Sequence, residues 1–425
     1  MHFLEFLDQG ISPFHVVSHT QKILSENGFK ELQLSEDWVL KSKSSYFLKW
    51  GESSIFAFKT PESINSKFHF KFALTHTDFP CLKASPNPST FKNGIQRIHC
   101  ETYGSPLNHS WLDRDLGCAG LAVFEKNNQL KSKLVRHSSS FYIPQLAIHL
   151  NREIHEKGLK LNPQTDLEVF WSSNPKDNIN SFLESNLEKD EKLLDYDLRF
   201  YDAQKASYGG CNQEWVYSGR LDNLSSCHAS LSALISSEFP VDFVSGFCFF
   251  DAEEVGSETR EGARSSFFKN LLKRISSSFN ISESQMLLLL NKSVFASMDV
   301  AHATHPSFSN RHDPRHEIVL GKGIVLKKNA NKRFASDVFS SAFFKQICNK
   351  SNLSFQEFIG RNDIPSGSTV GPALSASLGV SVFDFGIPIL SMHSAREIAA
   401  LQDQKTAIEF LKAFFTSINF KNPSF

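Results

Sequence analysis

The chain has 425 residues with 45 Lys+Arg against 45 Asp+Glu, so it carries no net basic field for nucleic acid or an anionic membrane. Its 40% hydrophobic and 21% charged residues make a globular composition, long enough for two or three domains. No stretch approaches the roughly 18 consecutive apolar residues of a membrane-spanning helix. At the N-terminus, Glu5 and Asp8 interrupt the apolar residues before a secretory leader could form, so none is expected. Residues 13–27 read as a helix, with Pro13 suited to its first turn and Gly28 to its stop. Phe14, Val17, Ile23 and Leu24 share one side of it. His15 and His19 are four apart there, but with no third ligand they read as surface histidines.

Short strands follow at 46–48, 54–58 and 68–74, the last alternating apolar and polar residues before turning apolar. The block 85–215 is rich in strand-like pieces, such as 121–124, 140–143 and 166–171. It also holds an acidic-basic stretch near 181–195 that reads as a helix. This block looks like an inserted domain between 1–84 and 216–425. From 216 onward β and α signals alternate. A helix starts near Asp222, a strand covers Phe243 to Phe250, and a helix covers about 260–278. A strand is expected around Leu288 to Ala296, another at Gly379 to Phe385, and a final helix at about 404–418. The pattern predicts an α/β fold, a mixed central sheet covered by helices with a β-rich insert. Seven scattered cysteines without a CxxC pair fit buried thiols in a reducing compartment, so a cytoplasmic protein is expected. The 40 phenylalanines, against 7 tyrosines, read as codon bias, with Phe filling places where other chains put leucine, and no function is assigned to them.

The chemistry concentrates at strand ends, where open α/β sheets present functional groups. The apolar strand to Phe250 runs directly into Asp251-Ala252-Glu253-Glu254. Three acids in four residues repel one another unless a cation or strong donors compensate, and solvated turn acids are the plain alternative. His76-Thr77-Asp78 ends another strand; an HxD step can set an imidazole on a metal while the carboxylate fixes its tautomer. Asp222, in Ser218-Gly219-Arg220-Leu221-Asp222-Asn223, sits at a helix start, where it could equally be a cap. Asp299 follows the strand near 288–296. His393, in Ser391-Met392-His393-Ser394, is expected to open a helix after the last strand.

These blocks, with Asp113-Arg114-Asp115-Leu116 and Arg396-Glu397, resemble in order the signatures of the aspartyl aminopeptidases, di-zinc peptidases of the MH clan. The similarity runs over nearly the whole chain. It implies that Asp222 bridges two Zn²⁺, that His76 and Asp299 complete one site, and that Glu254 and His393 complete the other. Asp78 would orient His76, and Glu253 would be the general base. Two Zn²⁺ against Asp222, Glu254, Asp299 and a bridging hydroxide sum to zero charge. The mixed N/O ligand set would also take Co²⁺ or Mn²⁺. Glu253 and Glu254 are expected to face opposite ways, as neighbours on an extended chain do.

The resemblance further implies removal of an N-terminal Asp or Glu from short peptides, with Lys327 reaching the acidic side chain and His302 close by. Lys322 is the nearby alternative cation. Some relatives instead prefer neutral residues such as Leu, and Phe79 and Ala252 depart from the family pattern where pocket shape is set. His149 resembles the histidine that the family's dimerisation domain lends to a neighbouring active site. The block 85–215 would then be that domain, in a homo-oligomer implied to be a tetrahedral dodecamer built from dimers. A non-catalytic assembly protein of the same fold would have lost a ligand or the base, and the sequence retains all of them.

Overall fold

The computed structural model describes residues 2–63 and 68–416. Four strands rich in Phe, Val and Leu lie side by side and parallel: Phe243–Phe250, His69–His76, Val294–Met298 and Ser381–Gly386. The first three are buried along their whole length, as a sheet covered on both faces requires. Their register sets His76 opposite Phe250 and Met298 opposite Phe385, so the chain leaves these strands at one level. Ser54–Lys59 and Ile324–Lys328 flank the four antiparallel and make the sheet mixed, with nine strands among the described residues.

Alternate side chains supply two cores, one on each face. Phe247, Phe249, Phe383 and Phe385 pack under helices Pro13–Glu26, Leu221–Ser236, Val338–Lys350 and Leu401–Thr416. On the other face Phe56, Phe58, Phe70 and Phe72 pack under Phe267–Ser278, Glu283–Lys292 and Val370–Leu378. Many of the phenylalanines therefore fill core. Lys71, expected on a polar face, is instead buried, its ammonium 4.1 Å from the Phe243 ring centre.

A second, six-stranded antiparallel sheet runs from Cys81 to Asp202 around a separate core that includes Leu82, Ile98, Leu198 and Phe200. A third joins the short strands Ser207–Gly209, Trp215–Ser218, Glu397–Ala400, Pro388–Leu390 and Ala301–His302. Six cysteines are buried and Cys211 is exposed. Among the described residues no helix is long and apolar enough to cross a membrane.

Several local expectations change. The 181–195 stretch is helical only over Ile179–Ser185, and from Lys192 it is a strand zipped to Leu116–Lys126. The leucine run expected to begin a strand at Leu288 belongs to helix Glu283–Lys292. A reciprocal Ser282–Gln285 capping box starts that helix, and the strand waits until Val294. The helix expected from 260 begins at Phe267. Two further strands follow Ser381–Gly386, so Ser391–Ser394 forms a turn between Pro388–Leu390 and Glu397–Ala400 and opens no helix. The final helix is Leu401–Thr416, and expected positions 417 and 418 lie outside the described residues. His15 and His19 are half-buried. Burial, then the nearby Arg136 charge, hold His15 down at about 4.

Candidate metal centre

The parallel strands deliver three of the acids and one histidine to a single place. His76 is the last residue of its strand, Asp299 follows Met298, and Glu253–Glu254 sit on a short 3-10 turn beyond Phe250. Asp222 lies in the first turn of Leu221–Ser236, where its backbone departs from helical geometry. His393 occupies the turn before Glu397–Ala400. Arg220, Ala252 and His393 all adopt positive φ (63°, 60° and 66°), a conformation non-glycine residues hold only where the surroundings enforce it. Glu253 and Glu254 are on a turn, so the extended-chain argument for their opposite directions does not apply. They do not face opposite ways: a carboxylate oxygen of each lies within 4.8 Å of the other, beside His76.

Three overlapping groups of donors form, one of them His76 with Glu253 and Glu254, and the other two meeting at Asp222. His76 Nε2 lies 3.6 Å from Asp222 Oδ1 and 3.7 Å from Asp299 Oδ1. His393 Nε2 lies 3.6 Å from Asp222 Oδ2 and 3.4 Å from Glu254 Oε2. Asp222 thus offers one oxygen to each of those two groups. Two ligand atoms each about 2.1 Å from a tetrahedral zinc lie about 3.4 Å apart, close to these separations. His76 Nε2, Asp222 Oδ1 and Glu254 Oε1 are buried without a hydrogen-bond partner, which is what atoms aimed at an ion look like. The residues therefore fit zinc.

The ring orientations fit as well. His76 Nδ1 faces the Asp78 carbonyl at 3.0 Å and the Asp78 carboxylate at 3.3 Å, both acceptors, so Nδ1 carries the proton and Nε2 keeps its lone pair. His393 Nδ1 lies 3.2 Å from the Ser105 carbonyl, with the same consequence. Glu397 accepts the backbone N–H groups of both Asp222 and His393.

Crowding of carboxylates without a cation is costly. Burial, then the Asp299 charge, push Asp222 up to about 6. Burial, with Asp299, Asp78 and Asp222 outweighing His76, lifts Glu253 to about 8. Burial and Asp222 raise Glu254 well above the carboxylate range. Burial would lower His76, but Asp299, Asp78 and Glu253 outweigh it and raise it. Each shift is one that a bound cation would relieve.

The centre opens into a cavity of about 820 Å³ whose walls include Glu253, His302, Arg311 and Lys327. Lys327 is buried, and its ammonium donates to Asp299 Oδ2 at 3.3 Å and to the Val300 carbonyl at 3.0 Å. His302 is open to the cavity; the surrounding protein, then the Lys327 charge, hold it at about 4. Lys322 is exposed outside the cavity wall. His149 lies on the exposed turn Ile148–Leu150 of the six-stranded-sheet unit and does not line this cavity. Sequence reasoning gave no role to Tyr103 or Glu397, which contact the centre's supports through hydrogen bonds that no local pattern reveals.

Residues 6–415 match the profile of a family described as aminopeptidase I zinc metalloprotease (M18). The chain is 37% identical over 417 residues to a probable M18 family aminopeptidase 2 of Borreliella burgdorferi, covering 97% of this chain and 96% of that one. It is 33% identical over 460 residues to a probable aspartyl aminopeptidase of Ricinus communis, with 97% and 94% covered. Among solved structures, the mApe1 dodecamer of S. cerevisiae superposes with a TM-score of 0.83 at 26% identity, covering 97% of this chain and 95% of that one.

Proposed function

The chain belongs to the M18 family of zinc metallo-aminopeptidases, and on that premise we propose that it releases N-terminal residues, acidic ones preferred, from short peptides. The observation that carries the reading is the pair of donor groups sharing Asp222, whose residues keep three buried side-chain atoms without a hydrogen-bond partner. His76, Asp222 and Asp299 would hold one zinc, and Asp222, Glu254 and His393 the other. When bound, such a pair lowers the pKa of water and polarises a carbonyl oxygen.

The protein's own groups do the rest. Glu253 reaches within 3.9 Å of His76 Nε2 and could itself join a donor group with His76 and Glu254; we assign it to the attacking water instead. It takes the proton of the attacking water and passes it to the leaving amine. Asp78 fixes the His76 tautomer and, by accepting the Glu253 N–H at 3.1 Å, the position of the base. The cavity confines the peptide, and Lys327 and His302 line the part that would take the first side chain.

Lys327 is the cation offered to an acidic side chain. Because its ammonium already donates to Asp299, a second reading is favoured by that contact: the same catalyst with a neutral, Leu-like preference. We also assign the block 85–215 as a dimerisation domain of a cytoplasmic homo-oligomer, with a tetrahedral dodecamer as its assembled form. Leu146, Ile148 and Leu150 expose apolar surface around His149, which suits a segment packed on a neighbouring subunit and lending that histidine. Hydrolysis of Asp- and Leu-peptides by zinc-loaded protein, with native mass measured alongside, tests the reading. No release of N-terminal residues from either substrate sinks it.

A further inference from the structure

The Asp78 carboxylate is buried and has four partners. Its Oδ1 lies 3.3 Å from His76 Nδ1 and accepts the Glu253 N–H at 3.1 Å. Its Oδ2 accepts the Glu254 N–H at 3.1 Å and the Tyr103 hydroxyl at 2.7 Å, the shortest of the four. Three of these partners come from the catalytic sheet. Tyr103 comes from the six-stranded sheet, as the last residue of strand Ile95–Tyr103.

Tyr103 is itself fixed. The guanidinium of Arg199, buried on a neighbouring region of the same sheet, lies 4.5 Å from its ring centre and is paired with Asp197 at 3.3 Å. Gly104 follows at φ +72°, where a Cβ would come within 2.9 Å of Glu254 Cβ, so the backbone after Tyr103 rests against the acidic turn. The phenol is thus anchored from behind and aimed at the one carboxylate that contacts a ligand imidazole and the backbone of both glutamates.

We infer that Tyr103 is a positioning residue of the centre, through which the six-stranded-sheet unit sets the placement of His76, Glu253 and Glu254. Without its hydroxyl, Asp78 Oδ2 keeps only the Glu254 N–H, and the carboxylate is held by three partners where it had four. That loosens the imidazole orientation on one side and the Glu253–Glu254 turn on the other. Outer partners of ligating histidines typically carry 10–100-fold in metal affinity or activity. The inference rests on the reading of His76 as ligand and Glu253 as base.

The test compares Tyr103→Phe, which keeps the ring under Arg199, with Glu253→Gln in the full-length protein. Expected for Tyr103→Phe are a kcat lowered about tenfold with KM within twofold, and zinc stripped at about tenfold lower chelator concentration. A fluorinated tyrosine at position 103, which restores a donor, should recover both. Unchanged kcat and unchanged chelator resistance in Tyr103→Phe, with Glu253→Gln inactive, overturn the inference alone. Failure of fluorotyrosine to recover a lost function also overturns it, by assigning the loss to packing. Wild-type turnover in Glu253→Gln overturns the base assignment, and the inference with it.

Discussion

Glu397 holds Asp222 by its backbone: Glu397 Oε2 accepts the Asp222 N–H at 3.2 Å, and Oε1 accepts the His393 N–H at 2.9 Å. One buried carboxylate therefore spaces two residues of the same donor group. Glu397→Gln would set an amide donor against one of those N–H groups and leave it unsatisfied, at a cost of about 1–3 kcal/mol. Expected are a lower thermal midpoint and weaker zinc retention in chelator competition, with the fold intact by circular dichroism. Unaltered zinc retention would mean that Glu397 serves folding only.

Glu253→Gln removes a proton acceptor while keeping size and hydrogen-bonding capacity. General acid–base groups contribute typically 10²–10⁴-fold, so kcat should fall by at least about a hundredfold with zinc content unchanged. Metal analysis and steady-state kinetics on the same sample check it. A zinc-replete variant turning over at the wild-type rate would falsify the assignment of the base.

Lys327→Ala should act in two ways. It strips Asp299 of its 3.3 Å partner, which should lower turnover on every substrate, and on the acidic-preference reading it removes the cation that would face the side chain. The second effect shows in the ratio of kcat/KM for Asp- and Leu-peptides, which should fall by about tenfold or more. An equal loss on both substrates would restrict Lys327 to supporting Asp299 and favour the neutral-preference reading.

The ion count is open to direct measurement. Asp222 divides its oxygens between the His76 and His393 groups, so purified protein should bind two zinc ions per chain and His393→Ala about one. Because a ligand stabilises the state that binds it, chelation should lower the thermal midpoint and zinc should restore it. A wild-type chain that saturates at one zinc contradicts the paired centre.

The sequence made the donors visible because each lies within a short, recognisable block at or just beyond a strand or helix end. Asp78 was legible beside His76, but other supports were not. Tyr103 acts through one hydroxyl across two sheets and leaves no spacing pattern; Glu397 lies in a recognisable block, yet it acts on backbone N–H groups, which no pattern reveals. Secondary structure was hardest where local apolar content is ambiguous. Leu287–Leu290 fits a buried strand or a helix equally by hydrophobicity, and only the Ser282–Gln285 cap decides it. Lys71 shows the converse, since an alternating pattern promises a polar face that the covering helices then bury.

His69 gives stability a pH dependence that lies away from the metal centre. Its ring is buried against Phe243, with centroids 5.2 Å apart, and its Nε2 has no partner. Burial, then the charges of Lys71 and Lys292, hold its pKa down at about 3. Between that value and the ordinary 6.5 the unfolded chain binds a proton that the folded chain refuses, so stability falls as pH drops below 6.5. The loss approaches about 1.4 kcal/mol per pH unit from this residue. His69→Leu removes the titration, so the gap in unfolding free energy between pH 7.5 and pH 5 should be smaller in the variant by about 2 kcal/mol. Urea unfolding of both proteins at the two pH values, with zinc stripped from each, measures that difference. Identical gaps would mean that the folded protein accommodates a charged His69, against its burial beside Phe243 and the charges of Lys71 and Lys292.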